Sequence, residues 1–249
     1  GINAIHEGAM QILEDIGIAI LNDEARDFFK SAGCIVNGDI VRIGRDFVME
    51  MLSNAPDTGT LTPRSPERQI PVGGEYILFG NVSSPPSYWD YATKKKIPGT
   101  REMCQNFLKL SQYFNCIHMI GGYPVEPVDL HPSIRHLDVL FDKLTLSDKV
   151  AHAYSLGKER VEDVMEMVKI AAGLSEEEFQ SKPHLYTNIN STSPLKHDQP
   201  MIDGCLRMIR RGQAVFVTPF TLAGAMAPVT ISGAVTLSVA EALSAIALF

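Results

Sequence analysis

The sequence predicts an α/β fold built on a parallel sheet covered on both faces. Two observations carry this. Five short apolar runs, at residues 76–79, 117–120, 150–154, 185–189 and 214–217, recur at intervals of about 30–40 residues, the spacing of successive βα units. Between them lie segments whose apolar residues repeat at helical spacing. Strands so uniformly apolar are buried on both sides, which is the pattern of a parallel sheet between helices.

The chain opens with Ile5, Ala9, Ile12, Leu13 and Ile16 on one face of a helix that Gly17 closes. A second helix runs over 23–32 to Gly33, a strand over 40–43, and a third helix over 45–54 stops ahead of Pro56. Prolines and glycines in 57–75 have hairpin-like spacing. Residues 1–75 therefore read as a small α+β cap, and 76–249 as five βα units. The helices of those units show four stripes. They are Met103, Phe107, Leu110 and Phe114; Leu137, Leu140, Phe141 and Leu144; Val161, Val164, Val168 and Ala171; and Met201, Cys205, Met208 and Ile209. Pro132 and Pro200 stand near helix starts, and Gly173 and Gly212 just past helix ends. The final segment, 235–249, is an apolar helix interrupted by Glu241, which is expected in a buried pair or a subunit contact rather than in catalysis. Trp89 and Asp90 precede a lysine run in a hairpin and are expected to be structural.

Composition narrows the function. The 249 residues are 45% hydrophobic and 20% charged, ordinary for a globular protein with a sizeable core. Net charge is −7 and the one basic tract is Lys94-Lys95-Lys96, so nucleic acid is not expected as a partner. The acidic balance favours cationic small molecules. Cys34, Cys104, Cys116 and Cys205 lack CxxC spacing, which argues against a zinc knuckle and for free thiols in a reducing cytoplasm. No basic segment followed by an apolar core opens the chain, so no signal peptide is expected. The charge-free stretch 214–240 is broken by Pro219, Pro228 and hydroxyls, and no membrane span is expected there. Residue 1 is Gly, and the sequence stops at Phe249 inside a helical pattern. Both ends suggest a fragment, truncated at least at its C-terminus.

The stretch 218–235 organises the rest. It joins an apolar strand to a helix, and its polar groups are the hydroxyls of Thr218, Thr221, Thr230 and Ser232 with amides freed by Gly224 and Gly233. Such a loop suits a neutral or cationic organic ligand better than a phosphate. It also carries a resemblance. Thr218-Pro219-Phe220, then Gly224 through Gly233 with Pro228 and Thr230, then Ala240-Glu241-Ala242 resemble the trimethylamine methyltransferase (MttB-like) family. Residues 5–17, Trp89-Asp90 with the lysine run to Pro98, and 190–195 agree in order, so the resemblance covers nearly the whole chain. Period alone leaves open an (α/β) barrel or an open doubly wound sheet. The resemblance implies a TIM-type barrel, of which five units would be about two-thirds.

In a barrel the reactive groups lie at strand C-terminal ends. Here those positions are Asn81, 121–124 with Tyr123, His152 and Tyr154, Asn188 and Asn190, and Thr218 with Phe220. Each has a plainer reading. His152 fits a hydrogen-bonded core residue as well as a ligand. Asn188 and Asn190 either bind ligand or tie down loop backbone. Tyr123 and Phe220 would wall a site for an alkylammonium group, whose charge is drawn to ring faces, or pack the rim. No catalytic residue stands out. There is no HExxH or HxH for a metal, no GxSxG nucleophile elbow and no GxGxxG.

The resemblance implies transfer of a methyl group from a tertiary or quaternary amine, trimethylamine or a betaine, to the cobalt of a corrinoid. In that family a separate protein presents the corrinoid, so no cofactor is expected on this chain itself. The implied partners are the corrinoid protein and a small methylated amine, with homo-oligomerisation expected. Members that use trimethylamine carry pyrrolysine in the second half of the barrel, beyond Phe249. Two other readings stand beside this one. A Schiff-base barrel lyase or aldolase would need a strand lysine, and Lys149 only borders a strand. A non-catalytic truncated remnant would expose open sheet edges.

Overall fold

A computed structural model describes residues 1–249. Helix α1 (Ile2–Gln11) runs into one wider π-type turn, Ile12–Ile16, and buries Ala9, Met10 and Leu13. Gly17 ends it at φ 83°, where a Cβ would stand 2.6 Å from the Val41 carbonyl oxygen. Strand β1 (Ile18–Ile20) follows, then α2 (Asp23–Ser31), capped by the Asn22 side chain, which accepts from the Ala25 amide at 2.8 Å. Next come β2 (Ile35–Asn37), β3 (Ile40–Arg42) and α3 (Arg45–Asn54). Two hairpins follow: β4 (Thr58–Leu61) with β5 (Ile70–Gly73), and β6 (Ser87–Asp90) with β7 (Lys95–Pro98). The remainder runs α4 (Arg101–Tyr113), α5 (Arg135–Leu146), β8 (Ala151–Ala153), α6 (Lys158–Ala172), α7 (Glu176–Ser181), β9 (Leu185–Ile189), β10 (Lys196–His197), α8 (Gln199–Arg210), β11 (Ala214–Val217) and α9 (Ile231–Leu248).

The architecture is mixed α/β. One sheet has the order β10-β1-β3-β2, with β10 parallel to β1. A second contains β8, β9 and β11, all parallel, with β9 in the middle. Met119 extends it by single parallel bridges to Val150 on one side and to Gly80 on the other. Five chain segments thus lie side by side, parallel and in sequence order, at residues 80, 119, 150–153, 185–189 and 214–217. The sheet is open, with β11 at one edge.

Side chains alternate across β8 and β9. Ala151, Ala153 and Leu185 point to the helices and pack with Leu140, Val161, Val164, Met165, Val168 and Met208. Val150 and Tyr186 point the other way, against Leu61 of the β4–β5 hairpin. The largest core joins both ends of the chain: Met10, Leu13, Ile18, Phe29 and Val41 pack with Ile189, Ile202, Ala240 and Leu243. Helix α9 has the length and composition of a membrane span, with mean hydropathy 1.7 over Ile231–Leu248. Its Ala240, Leu243, Ala245 and Ala247 are part of that core.

Several elements differ from the sequence reading. Residues 76–79 form no strand, and Tyr76, Ile77 and Phe79 are 64%, 75% and 57% exposed. Segment 117–120 pairs only through Met119. An apolar run signals hydrophobicity, whereas a strand needs backbone partners; 76–79 has no bridged residue, the bridge falling on Gly80, and 117–120 has one, Met119. In α4 the buried residues are Cys104, Leu108 and Ser111, so the stripe lies one position further along than Met103, Phe107 and Leu110. In α5 Phe141 is exposed while Asp142 and Lys143 are buried, because each of those two finds polar partners inside. Helix α7, with its Ser175–Glu178 capping box, and strands β1, β2 and β10 were invisible to periodicity at two to six residues each.

Candidate functional site

The site grows from the alternation on the parallel strands. His152 stands in register with Tyr186 on β9, and Phe216 on β11 with Asn188. All four therefore face away from the helix layer. Their rings form a continuous edge-to-face series. Tyr123 meets Tyr154 at 4.8 Å between centroids, Tyr154 meets His152 at 4.8 Å, His152 meets Tyr186 at 5.1 Å, and Tyr186 meets Phe216 at 5.3 Å.

Hydrogen bonds fix these rings. The Tyr154 hydroxyl oxygen accepts from the Tyr123 amide at 2.8 Å and bonds the hydroxyls of Ser83, at 3.1 Å, and Ser84. Gly122 leaves room for that hydroxyl: a Cβ there would lie 1.8 Å from it. The Tyr186 hydroxyl donates to the Ile120 carbonyl at 3.1 Å. At the strand ends, Thr218 Oγ1 donates to Asn190 Oδ1 at 2.7 Å and accepts from Asn188 Nδ2 at 3.4 Å.

Beneath this cluster sits Lys143, reaching in from α5. Its Nζ donates to the carbonyl oxygens of Gly121 and His152 at 3.1 and 3.2 Å, tying together two adjacent parallel segments. Burial lowers its pKa to about 8. Burial, reinforced by Lys143, pushes His152 down to about 3, while the Asn188 side chain opposes weakly. His152 is therefore a neutral imidazole at physiological pH, and its Nδ1 has no hydrogen-bond partner. Burial raises the hydroxyl pKa values of Tyr123, Tyr154 and Tyr186, so all three remain protonated. The cluster is aromatic, polar and without a carboxylate. It can hold a cation against ring edges and faces, and the one group near it whose pKa is brought toward neutrality, Lys143, has its Nζ bonded to two carbonyl oxygens.

Six of the seven expected ligand-binding residues, Tyr123, His152, Tyr154, Asn188, Asn190 and Thr218, thus form one contiguous set. Their depths differ from expectation. Tyr123 is buried under Tyr154 and supports the site rather than walling it. Phe220 is 57% exposed and joins none of these contacts. The expected loop motif shapes backbone. Gly224, at φ 81°, closes a tight turn by donating to the Ala227 carbonyl at 2.9 Å. Thr230 caps α9 by accepting from the Gly233 amide at 3.2 Å, and Gly233 has no space for a Cβ beside Pro228.

Two residues, Tyr186 and Lys143, escaped the sequence reading of the site. Tyr186 carried a signal, since it lies two residues before Asn188 on the same strand face. Lys143 interrupts an apolar stripe, a weak signal because most such lysines are solvated. Glu241 was noticed, but its partners proved to be hydroxyls and an amide rather than a cation. All four cysteines are free thiols, and burial pushes the thiol pKa of Cys104 up to about 11 and of Cys205 up to about 12. No three His, Cys, Asp or Glu side chains converge as a metal-ligand set.

Comparison with known proteins bears on this geometry. The family model described as trimethylamine methyltransferase (MTTB) matches residues 1–249. The chain belongs to this family. It is 34% identical over 99% of its length to a glycine betaine methyltransferase of Desulfitobacterium hafniense, covering 51% of that protein. It is 27% identical over 98% of its length to a trimethylamine methyltransferase, MttB, of the same species, covering 49%. A proline betaine:corrinoid methyltransferase of Eubacterium limosum is 24% identical over 99% of the chain, with 52% of that protein covered. The chain thus spans about half the length of the curated relatives it matches.

Proposed function

We propose that this chain is part of an enzyme that takes a methyl group from a tertiary or quaternary methylated amine and delivers it to the cobalt of a corrinoid on a partner protein. The observation that supports it is the cluster of His152, Tyr154, Asn188 and Thr218 on one face of a parallel sheet. This combines with membership of a family whose relatives carry methyltransferase names.

A methyl group leaves nitrogen readily only when that nitrogen is positively charged. The corrinoid, on its carrier, supplies the nucleophilic metal. What remains for the protein is to hold the cation, orient it and exclude water. The rings of Tyr154 and His152 give the cation an apolar, electron-rich wall. The neutral state of His152 avoids repulsion that an imidazolium would impose. Thr218 and Asn190 are exposed at the C-terminal end of the sheet, so a co-reactant presented by another protein approaches from that side. In this reading the ordered parallel segments belong to a TIM-type barrel that further strands complete beyond β11, with residues 1–75 as its cap.

The test is spectroscopic. Full-length protein is mixed with the reduced corrinoid protein and either trimethylamine or glycine betaine. Conversion of the cobalt(I) spectrum to that of methylated cobalt is the expected result. No conversion with any methylated amine overturns the proposal.

One observation favours a second reading. Lys143 is an interior lysine with a pKa lowered to about 8, as a Schiff-base enzyme requires. Both carbonyl bonds hold its Nζ, which weighs against it. Borohydride trapping of a carbonyl substrate on Lys143 would decide for that reading.

A further inference from the structure

A small cavity lies between α5, α6 and β8, bounded by Tyr123, His136, Lys143, His152, Tyr154 and Arg160. Its volume is about 20 Å³, room for one small polar group. No carboxylate lines it. Lys143 uses two of its three N–H bonds on the Gly121 and His152 carbonyls and keeps one. Arg160 is half-buried and joins no ion pair, because the nearby acids are engaged: Glu126 with Arg135, and Asp163 with His136 at 2.9 Å. Two imidazole nitrogens, Nδ1 of His136 and Nδ1 of His152, are buried with no hydrogen-bond partner. His152 itself is 8% exposed. Buried polar atoms are nearly always paired, so two orphans around one cation-lined cavity mark the place of a missing group.

We infer that this cavity receives one oxygen of a carboxylate, held by Arg160 and Lys143, with His152 donating from Nδ1. A planar guanidinium and an ammonium are the groups that recognise a carboxylate best. Burial lowers the proton affinity of both Lys143 and His152, the charge of Lys143 lowers that of His152 further, and a bound anion opposes both effects. The carboxylate has two possible sources. It is a free small carboxylate, or it is the acid end of a methylated amino acid whose ammonium end lies over Tyr154, the residue shared by the cavity and the ring cluster. The second source rests on the methyl-transfer reading above; the first does not.

The experiment is calorimetric titration of the full chain at constant ionic strength with sodium formate, glycine betaine and tetramethylammonium chloride. Wild type is compared with Arg160→Gln, a half-buried position that keeps the fold, and with Lys143→Met. Formate and glycine betaine are expected to bind and to compete. Arg160→Gln is expected to weaken both by about tenfold or more while leaving tetramethylammonium unchanged. Formate binding without competition from glycine betaine would overturn the substrate source and leave the free-carboxylate source standing. Equal binding of both carboxylates by wild type and Arg160→Gln, or none by either, would overturn the inference and leave the cavity to water. Failure of tetramethylammonium to bind, with formate binding intact, would count against the methyl-transfer reading alone.

Discussion

Glu241, on α9 and wholly buried, accepts a hydrogen bond from Ser193 Oγ at 2.6 Å. The same carboxylate takes the Ser191 hydroxyl and, at 2.7 Å, the Leu195 amide. One side chain from the last helix thus fixes the loop that leaves β9, immediately after Asn188 and Asn190. Replacing Glu241 by Ala strands three donors in a closed interior, at a cost of about 3 kcal/mol or more. Glu241→Gln retains one acceptor oxygen and should cost less. Urea denaturation measures both; an Ala variant within about 1 kcal/mol of wild type would contradict this account of the loop.

Gly122→Ala places a methyl group where the Tyr154 hydroxyl now sits. The clash is with side chains, so the fold should survive at a cost of about 1–3 kcal/mol while the ring shifts. Binding of methylated amines should fall by about tenfold if Tyr154 walls the site. Equilibrium binding alongside circular dichroism separates the two effects.

Lys143 makes stability depend on pH in the alkaline range. Its folded pKa is lowered to about 8 from an ordinary 10.5. Between those values the unfolded chain holds the proton and the folded chain does not, so this group's contribution rises with pH, by about 3 kcal/mol in total. Lys143→Met should therefore be more stable relative to wild type at pH 7.5 than at pH 10.5. The difference in urea midpoints at the two values checks the sign.

His152 acts at the other end of the scale. Its folded pKa of about 3 lies below the ordinary 6.5, so the unfolded state binds the proton first as pH falls. Its contribution is fully present above about 6.5 and is lost progressively toward 3. His152→Phe should flatten part of the acid limb of the stability curve, while His197, whose pKa is also lowered by burial, keeps the remainder. A superimposable acid limb in variant and wild type would show that His152 is not held neutral by burial.

Much of this was legible from residues alone, for identifiable reasons. Strands β9 and β11 are apolar runs flanked by turn residues, and both formed where periodicity placed them. The polar positions at their ends, Asn188, Asn190 and Thr218, met as expected because register fixes which residues stand side by side. Residues 76–79 misled because aromatic and branched content says nothing about a pairing partner. Tyr123 and Phe220 were equivalent as sequence, yet one lies under Tyr154 and the other in solvent, a matter of loop path. Lys143 was hidden because its value depends on two carbonyls from segments 22 and 9 residues away.

The central claim is that the Tyr154–Thr218 cluster binds a methylated ammonium ion. Saturation-transfer NMR on the N-methyl protons of tetramethylammonium and trimethylamine reads this directly, with full-length wild type, Tyr154→Leu and Thr218→Val. The account predicts clear transfer to wild type and loss of most of it in Tyr154→Leu, with a smaller loss in Thr218→Val. Equal transfer to all three proteins, or none to wild type, would contradict it.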